Sequence, residues 1–323
     1  MSSVSIAYII FNRPRHTRET FAAIRAQRPE RLYVIADGPR VGHPTDAERC
    51  RETRAIVEHI DWPCEVFRQY ADQNMGCKRR VSSGLDWVFE QTEQAIILED
   101  DCVPHPDFFT YCEDLLARYA HDPRVWVITG NNFQDGTKRG DAAYYFSKYN
   151  HCWGWATWRR AWHHYRVDIP FWTTWQHTSD WQSKTPDKVE RKVWSGLLDR
   201  VQSGQIDTWD YQWTACVWYH GGLTATPNSN LVTNIGFGPD ATHTVAEGDQ
   251  EGLALHPLGP LTHPKHVRQD RAADRFVFDR NFGGSEHPDR LRNRLIRRRD
   301  QILRAPAWLA KKIKQTFKSQ SKV

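Results

Sequence analysis

The first 130 residues alternate between short apolar runs and amphipathic stretches, a pattern that predicts β-strands separated by α-helices. Residues 4–11 form an almost continuous apolar run, as expected for a parallel strand that is buried on both faces. Further strands are predicted at residues 32–36, 64–69, 95–98 and 125–129. Helices are predicted at residues 17–27, 45–60, 76–91 and 106–120. Alternation at this spacing is typical of an α/β fold with a mainly parallel central sheet flanked by helices.

The pattern changes after residue 130. Strands are predicted at residues 143–148 and 223–232, helices at 157–165, 186–202 and 208–218, and a loop-rich stretch at 236–289. Trp155, Trp158 and Trp162 have the spacing i, i+3, i+7, which would place them on one helical face and more often indicates core than a binding surface. No linker separates the two halves, so we expect residues 1–289 to form a single domain.

Charge is distributed unevenly along the chain. The net charge is +5, but residues 290–323 contain 12 Lys and Arg against one acid, which leaves residues 1–289 with a charge of −6. An acidic body argues against a nucleic-acid-binding protein, whose basic surface should lie on the folded domain. Leu309, Ile313 and Phe317 repeat every four residues in the tail, as in a basic amphipathic helix that binds an anionic membrane surface. A disordered, solvated tail is the alternative.

Two further properties restrict the class of protein. No apolar run approaches about 18 residues, so the sequence predicts no transmembrane helix. The seven cysteines are scattered and include no CxxC pair, which argues against a zinc site or a disulfide framework and favours the reducing cytoplasm.

Three acids, Glu99, Asp100 and Asp101, follow the predicted strand at residues 95–98. Open α/β sheets bind their ligands at the carboxyl ends of strands. Adjacent carboxylates repel one another unless a cation or bound hydroxyl groups offset the repulsion, and carboxylate oxygens suit Mg²⁺ or Mn²⁺. The pattern therefore favours a functional site over a solvated acidic turn.

Four short motifs occur in a characteristic order: Ile9-Ile10-Phe11-Asn12-Arg13-Pro14, Asp37-Gly38, Asn74-Met75-Gly76 and Glu99-Asp100-Asp101. This order resembles that of GT-A-fold glycosyltransferases of the family 2 type, with the acids in the Glu-Asp-Asp form of the N-acetylglucosaminyltransferases that start complex N-glycans. The likeness covers roughly residues 4–130. Residues 130–245 resemble bacterial glycosyltransferase-like proteins with a Trp-Gly-Trp-Ala-Thr-Trp segment, here residues 153–158. The resemblance implies a GT-A nucleotide-sugar-binding fold, with a nucleotide-binding half at 1–130 and an acceptor half at 131–289.

The resemblance also implies which residues contact a nucleotide-sugar donor and its metal. The implied donor contacts are Phe11, Asn12, Arg13, Asp37, Asn74, Arg79, Asp100 and Trp153. Asp101 would bind Mn²⁺ or Mg²⁺, and Glu99 would support the loop. Arg79 lies near a helix N-terminus, where phosphate is favoured, and Lys78 and Arg80 are alternatives to it. Trp155 is the alternative to Trp153 as a platform for a sugar ring.

An inverting transferase also needs a base that accepts the proton of the acceptor hydroxyl. Asp210 is the main candidate, because the neighbouring aromatic residues could desolvate it and raise its pKa. Asp207, which could instead cap a helix, is the alternative. Many GT-A enzymes supply a late histidine as a second metal ligand, and the candidates here are His243, the first choice, and His220, His256 and His263.

Together with these residues, the resemblance implies a metal-dependent, inverting glycosyltransferase (EC 2.4 class) that uses a nucleotide-diphosphate sugar. UDP is the favoured nucleotide, and GDP, dTDP and CMP are the alternatives. The acceptor would be a glycan or a lipid-linked sugar in bacterial cell-surface polysaccharide or glycoconjugate synthesis, and the protein would be cytoplasmic, at the inner face of the membrane. One alternative is a non-catalytic nucleotide- or sugar-binding module. Another is a sugar nucleotidyltransferase, which is disfavoured because residues 12–15 lack the glycines of that class.

Overall fold

The computed structural model describes residues 4–237, 253–291, 293 and 295. The strands in this part of the chain are β1 (Ser5–Ile10), β2 (Arg31–Ala36), β3 (Glu65–Tyr70), β4 (Gln94–Glu99), β5 (Cys102–Pro104), β6 (Val125–Thr129), β7 (Tyr144–Ser147), β8 (Trp155–Trp158), β9 (Leu223–Pro227) and β10 (Val232–Asn234). The helices are α1 (Pro14–Gln27), α2 (Asp46–Ile56), α3 (Gly76–Gln91), α4 (Pro106–Arg118), α5 (Arg159–Trp162), α6 (Trp172–Trp175), α7 (Ser179–Lys184), α8 (Lys188–Gln202), α9 (Asp210–Tyr219) and α10 (Arg271–Asn281). The fold is mixed α/β, with helices packed on a large central sheet.

Eight of the described strands form one sheet in the order β3-β2-β1-β4-β8-β6-β9-β7. The first four strands in this order are parallel, as predicted. In contrast, β8 runs antiparallel to both β4 and β6, and β7 runs antiparallel to β9. The prediction of a mainly parallel sheet therefore holds for the first half only, and the sheet as a whole is mixed. No helix lies between β7 and β8 in the chain, so no helical crossover turns β8 parallel to its neighbours. It lies between β4 and β6, which both run in the opposite direction.

The tryptophan-rich segment also differs from the helix predicted at residues 157–165. Residues Trp155–Trp158 form a strand, and the helix that follows is the short α5. Because successive side chains of a strand face opposite sides of the sheet, Trp155 and Trp158 belong to different core clusters. Pairing with β4 and β6 thus outweighs the local helical spacing, and the predicted helical stripe is wrong. Trp155, Trp158 and Trp162 are nevertheless all buried, as expected for core residues.

The two faces of the sheet carry separate hydrophobic clusters. One face packs against α1 and α4, through side chains such as Phe21 and Leu115. The other packs against α3, α8 and α9 and contains ten buried tryptophans. Gly84 lets α3 approach the sheet closely, since a Cβ at this position would lie 2.6 Å from Ile35 Cγ2. Aromatic rings bury large apolar areas, so this second cluster packs the tryptophan-rich half firmly onto the sheet.

A short antiparallel ribbon lies beside the main sheet and was not predicted. The strand predicted at residues 223–232 is two strands, β9 and β10, and β10 pairs with β5 so that Asn234 lies opposite Cys102. Residues 236–289, predicted to be loop-rich, contain helix α10, which Asp270 caps at its N-terminus. The ribbon is important for the site because it brings residues 234–237 against the acids that follow β4.

The predicted basic tail at residues 290–323 lies mostly outside the described residues. Arg290 is described, and its guanidinium lies 2.6 Å from Asp187 and 2.9 Å from Asp279. None of the described helices combines the length and the apolar character needed to cross a membrane. All seven cysteines belong to the described part of the chain, and all are free thiols.

Candidate active site

A cavity of about 270 Å³ opens at the carboxyl ends of β1, β2 and β4. The chain proceeds from β1 to β2 and β3 on one side, and β4 then lies on the other side of β1. The cavity is therefore at the point where the strand order reverses, which is where open α/β sheets bind ligands. The residues predicted from sequence that line it are Phe11, Arg13, Asp37, Asn74, Asp100, Asp101, Trp153 and Asp210.

A single arginine, Arg13, contacts two of the three acids in the triplet. Glu99 ends β4, and Asp100 and Asp101 form the turn that leads into β5. The buried Asp100 carboxylate accepts hydrogen bonds from Arg13 Nη2 and Nε and from the backbone N–H of Phe11, the last two at 3.4 Å. A third nitrogen of the same guanidinium, Arg13 Nη1, lies 2.9 Å from Asp101 Oδ2. One side chain thus links both aspartates.

The cluster carries more negative charge than Arg13 neutralises. Burial, together with the charges of Asp101 and Asp100, raises the pKa of Glu99 to about 8. Burial disfavours the charged form of Arg13, but Asp100 and Asp101 outweigh this effect and raise the pKa of the guanidinium. An additional cation next to these carboxylates would be stabilised by the same negative field.

The oxygen donors of this cluster fit Mn²⁺ or Mg²⁺. Asp101 lies on the cavity wall, and the Glu99 carboxylate has no hydrogen-bond partner among the described residues. No three His, Cys, Asp or Glu side chains in this part of the chain are arranged to hold a metal ion. Magnesium sites often use only one or two carboxylates, with substrate phosphates and water completing the coordination. The donor set therefore fits a cation that binds together with a diphosphate.

Residues 234–237 pack directly against Asp101. The backbone N–H of Ile235 donates to the Asp101 carbonyl at 2.9 Å. A Cβ on Gly236 would overlap the Asp101 carboxylate and would lie 2.9 Å from Arg13 Nη1. Position 236 therefore requires glycine because of this close approach.

Asp37 joins the end of β2 to the start of α3. Its Oδ1 accepts hydrogen bonds from the backbone N–H groups of Gly38 and Met75, both at 2.8 Å. Its Oδ2 accepts from the Asn74 side-chain amide at 2.9 Å and from the Gly76 N–H at 3.2 Å. Burial raises the pKa of Asp37, and the backbone hydrogen bonds partly offset the increase. A carboxylate has about four lone-pair sites, so these four donors occupy it, and Asp37 fixes the geometry of the cavity wall.

Replacing Asp37 by Asn should lower the free energy of unfolding by about 2–4 kcal/mol, because the amide NH₂ would face N–H donors that lose their acceptor. Chemical denaturation monitored by circular dichroism measures the change. Asp72→Asn is the matched control, since Asp72 is exposed and close in sequence, and it should change stability by less than about 0.5 kcal/mol. Equal stability of the two variants would contradict this role of Asp37.

Two of the predicted donor contacts do not line the cavity. Asn12 is buried, and its amide donates to Asp46 Oδ1 at 2.8 Å. Arg79 is exposed, whereas the next residue of the helix, Arg80, is buried and lines the cavity. Arg80 Nη2 donates to Gln69, and Arg80 Nε has no partner among the described residues. The structure thus brings the alternative, Arg80, to the cavity in place of Arg79.

Asp210 is the first residue of α9 and faces the cavity from the second half of the chain. The hydroxyl of Thr208 donates to Asp210 Oδ1. The negative charge of Asp210 also raises the pKa of Glu99, in addition to burial and the charges of Asp101 and Asp100. The alternative base, Asp207, does not line the cavity: its side chain is 63% exposed, and it lies 3.4 Å from Lys78 Nζ.

Of the candidate sugar platforms, Trp153 lines the cavity and Trp155 is buried outside its lining. The Trp153 ring contacts Phe133 and Phe237 edge-on, with centroid distances of 5.4 and 5.5 Å. These contacts hold the ring in place and leave the residue half-buried at the cavity wall.

The predicted histidine ligand, His243, lies outside the described residues. The alternatives His220, His256 and His263 are described, and none of them lines the cavity. His220, for example, stacks against Trp126 with ring centroids 5.2 Å apart.

Sequence reasoning missed Arg40, which lines the cavity. Its guanidinium carbon lies 5.4 Å from the centroid of the Phe11 ring, and its Nε lies 2.6 Å from the buried Asp46. The signal was a basic residue directly after the Asp37-Gly38-Pro39 turn at a strand end. Cys77, Cys152 and Asn234 also line the cavity without having been predicted.

No protein-family model and no curated protein sequence matches this chain. Among solved structures, the chain is similar to a mannosyltransferase from Pyrobaculum calidifontis in complex with GDP-Man and Mn²⁺, at 12% sequence identity and a TM-score of 0.33. The matched region covers 68% of this chain and 70% of the mannosyltransferase.

Proposed function

We propose that this protein is a metal-dependent glycosyltransferase that moves a sugar from a nucleotide-diphosphate donor to a hydroxyl group of an acceptor. The observation that carries the proposal is the cavity at the reversal of strand order, which contains the acidic cluster, three arginines and Asp210 together. Each feature fits one need of sugar transfer from a nucleotide-diphosphate donor: the arginines fit its phosphates, the carboxylates fit a cation that binds with them, and Asp210 fits a base near the acceptor.

The donor would lie across the ends of β1, β2 and β4. Phe11 and Arg40 offer flat surfaces on which a base can stack, and Arg13 and Arg80 offer guanidinium groups to the phosphate oxygens. The assignment of Arg80 to this role is supported by its buried Nε, which has no hydrogen-bond partner among the described residues. Asp101 would hold Mn²⁺ or Mg²⁺, and His243 remains the proposed second ligand. When bound, the cation would stabilise the negative charge that develops on the leaving diphosphate.

Asp210 would serve as the base. The acceptor oxygen forms a bond to the anomeric carbon as the bond from that carbon to the diphosphate breaks, and the acceptor proton moves to the Asp210 carboxylate. This single displacement inverts the anomeric centre. Thr208 would hold the carboxylate in place, because its hydroxyl donates to Oδ1. Trp153, half-buried at the same cavity, would position a sugar ring.

The test is a panel of UDP, GDP, dTDP and CMP sugars incubated with the full-length protein, with Mn²⁺ or with EDTA. We expect one donor to raise the melting temperature, because a ligand of the native state stabilises it by mass action. The same donor should release its nucleotide in the presence of Mn²⁺ and an acceptor mixture. Binding without turnover would indicate the alternative, a non-catalytic nucleotide-sugar-binding module, and absence of both would contradict the proposal.

For the acceptor we propose a glycan or a lipid-linked sugar at the inner face of the membrane. The support comes from the sequence of residues 290–323, whose basic and apolar residues repeat as in a helix that binds anionic lipid.

A further inference from the structure

The guanidinium of Arg13 makes two contacts of different character. Toward Asp100 it presents Nη2 and Nε, and this contact is almost sealed from solvent, since the Asp100 side chain is only 3% exposed. Toward Asp101 it presents a different nitrogen, Nη1, at 2.9 Å, and the Asp101 side chain is 14% exposed at the cavity. Both aspartates line the cavity, but the contact with Asp100 is almost closed to solvent, whereas the contact with Asp101 is the more accessible one from the space where a ligand would bind.

The contact with Asp100 has a structural role. Asp100 also accepts a hydrogen bond from the Phe11 N–H, and its carbonyl accepts one from the buried Thr20 hydroxyl at 2.9 Å. Breaking a buried ion pair leaves a charge without compensation and is strongly unfavourable. Arg13 can therefore keep this contact in every state of the folded protein.

The contact with Asp101 is more easily exchanged. Asp101 Oδ2 has Arg13 Nη1 as its partner, and, among the described residues, Asp101 Oδ1 accepts only a weak hydrogen bond from Cys102 Sγ at 3.4 Å. The Gly236 backbone packs against Asp101 Oδ2, so little space remains beside this oxygen for a second positive group. A cation that binds this carboxylate through Oδ2 must take the place of Nη1.

We propose, on the basis of the proposed function, that Arg13 Nη1 and the divalent cation compete for Asp101, and that the cation frees Nη1 for a phosphate oxygen of the donor. The Arg13–Asp100 contact stays intact, so the guanidinium pivots on one carboxylate and exchanges its contact with the other. In the protein without donor, Arg13 therefore weakens cation binding. With donor present, the freed nitrogen adds to donor binding, so cation and donor strengthen each other's binding, as linkage requires.

The experiment is calorimetric titration of the full-length protein with Mn²⁺ alone, without nucleotide. Arg13→Gln should bind Mn²⁺ at least about tenfold more tightly than the wild type, because it removes the competing charge from Asp101. Arg15→Gln is the matched control, since it removes the same charge from a side chain that is 83% exposed. Arg40→Gln removes a charge from the cavity wall away from the triplet, where Arg40 pairs with Asp46. Both controls should stay within about twofold of the wild type.

The Arg13→Gln substitution removes the ion-pair partner of Asp100 and could therefore unfold the protein. A second variant, Arg13→Lys, keeps a positive charge at this position. Lysine keeps one positive charge for Asp100 but lacks the planar fork that reaches both acids, so it should also bind Mn²⁺ more tightly than the wild type. The gain should vanish when Asp101→Asn is added to either variant. Unchanged or weaker Mn²⁺ binding in both variants, an equal gain in Arg40→Gln, or a gain that survives Asp101→Asn would each overturn the proposal. Because no donor is present, these outcomes do not depend on whether the protein transfers a sugar.

Discussion

Replacing Asp210 by Asn is expected to lower kcat for sugar transfer by about 10²–10⁴-fold, the usual contribution of a general base. Asparagine is nearly isosteric with aspartate and keeps an oxygen that can accept the hydrogen bond from Thr208. It cannot, however, take up the acceptor proton. Donor affinity should change little, because the proposed phosphate and cation contacts lie on Arg13, Arg80 and Asp101, on the other half of the chain.

Steady-state transfer rates and donor affinities, measured on the same preparations, check this prediction. Asp207→Asn is the control, since Asp207 lies three residues earlier, is mostly exposed and contacts Lys78 on the surface. We expect it to retain transfer activity within a few-fold of the wild type. Full activity of Asp210→Asn, or a larger loss in Asp207→Asn, would show that the base has been assigned to the wrong residue.

The parallel half of the fold could be predicted from sequence because its signals are local. The apolar run at residues 4–11 and the amphipathic stretch at 76–91 each indicate one element, and the structure places β1 at Ser5–Ile10 and α3 at Gly76–Gln91. Strands of this kind are buried on both faces, so their composition alone identifies them.

The second half could not be predicted in the same way because non-local pairing determines it. Trp155 and Trp158 have helical spacing, yet they form a strand because β4 and β6 leave a gap that β8 fills. Likewise, the three residues of β10 form a strand only because they pair with β5. The energy of such pairs comes from partners that are distant in sequence, and no local pattern records them.

The site was predictable in position but less so in detail. The carboxyl ends of β1, β2 and β4 could be named from the sequence, and the structure brings Phe11, Asp37 and Asp101 to one cavity. Which of Arg79 and Arg80 faces that cavity depends on the rotation of α3, and adjacent residues of a helix point about 100° apart. Sequence patterns also do not show hydrogen bonding, such as the four donors that already occupy Asp37.

Replacing Asp100 or Asp101 by asparagine should have different effects, because Arg13 contacts the two carboxylates in different ways. Asp101→Asn should abolish the dependence of donor binding on Mn²⁺ and lower sugar transfer by at least about 10³-fold, because the carboxylate that holds the cation is lost. Its thermal stability should stay near that of the wild type, since Asp101 reaches the cavity and Arg13 keeps its contact with Asp100.

Asp100→Asn should instead unfold at a markedly lower temperature, because it leaves the guanidinium of Arg13 without its buried partner, at a cost of about 3–5 kcal/mol. Thermal melts and calorimetric titration of donor with and without Mn²⁺ separate the two effects. If Asp101→Asn still binds donor more tightly with Mn²⁺ than without it, the cation is held elsewhere. If both variants lose stability equally, Asp101 belongs to the same structural contact as Asp100, and the division of Arg13 into a fixed and an exchangeable contact is wrong.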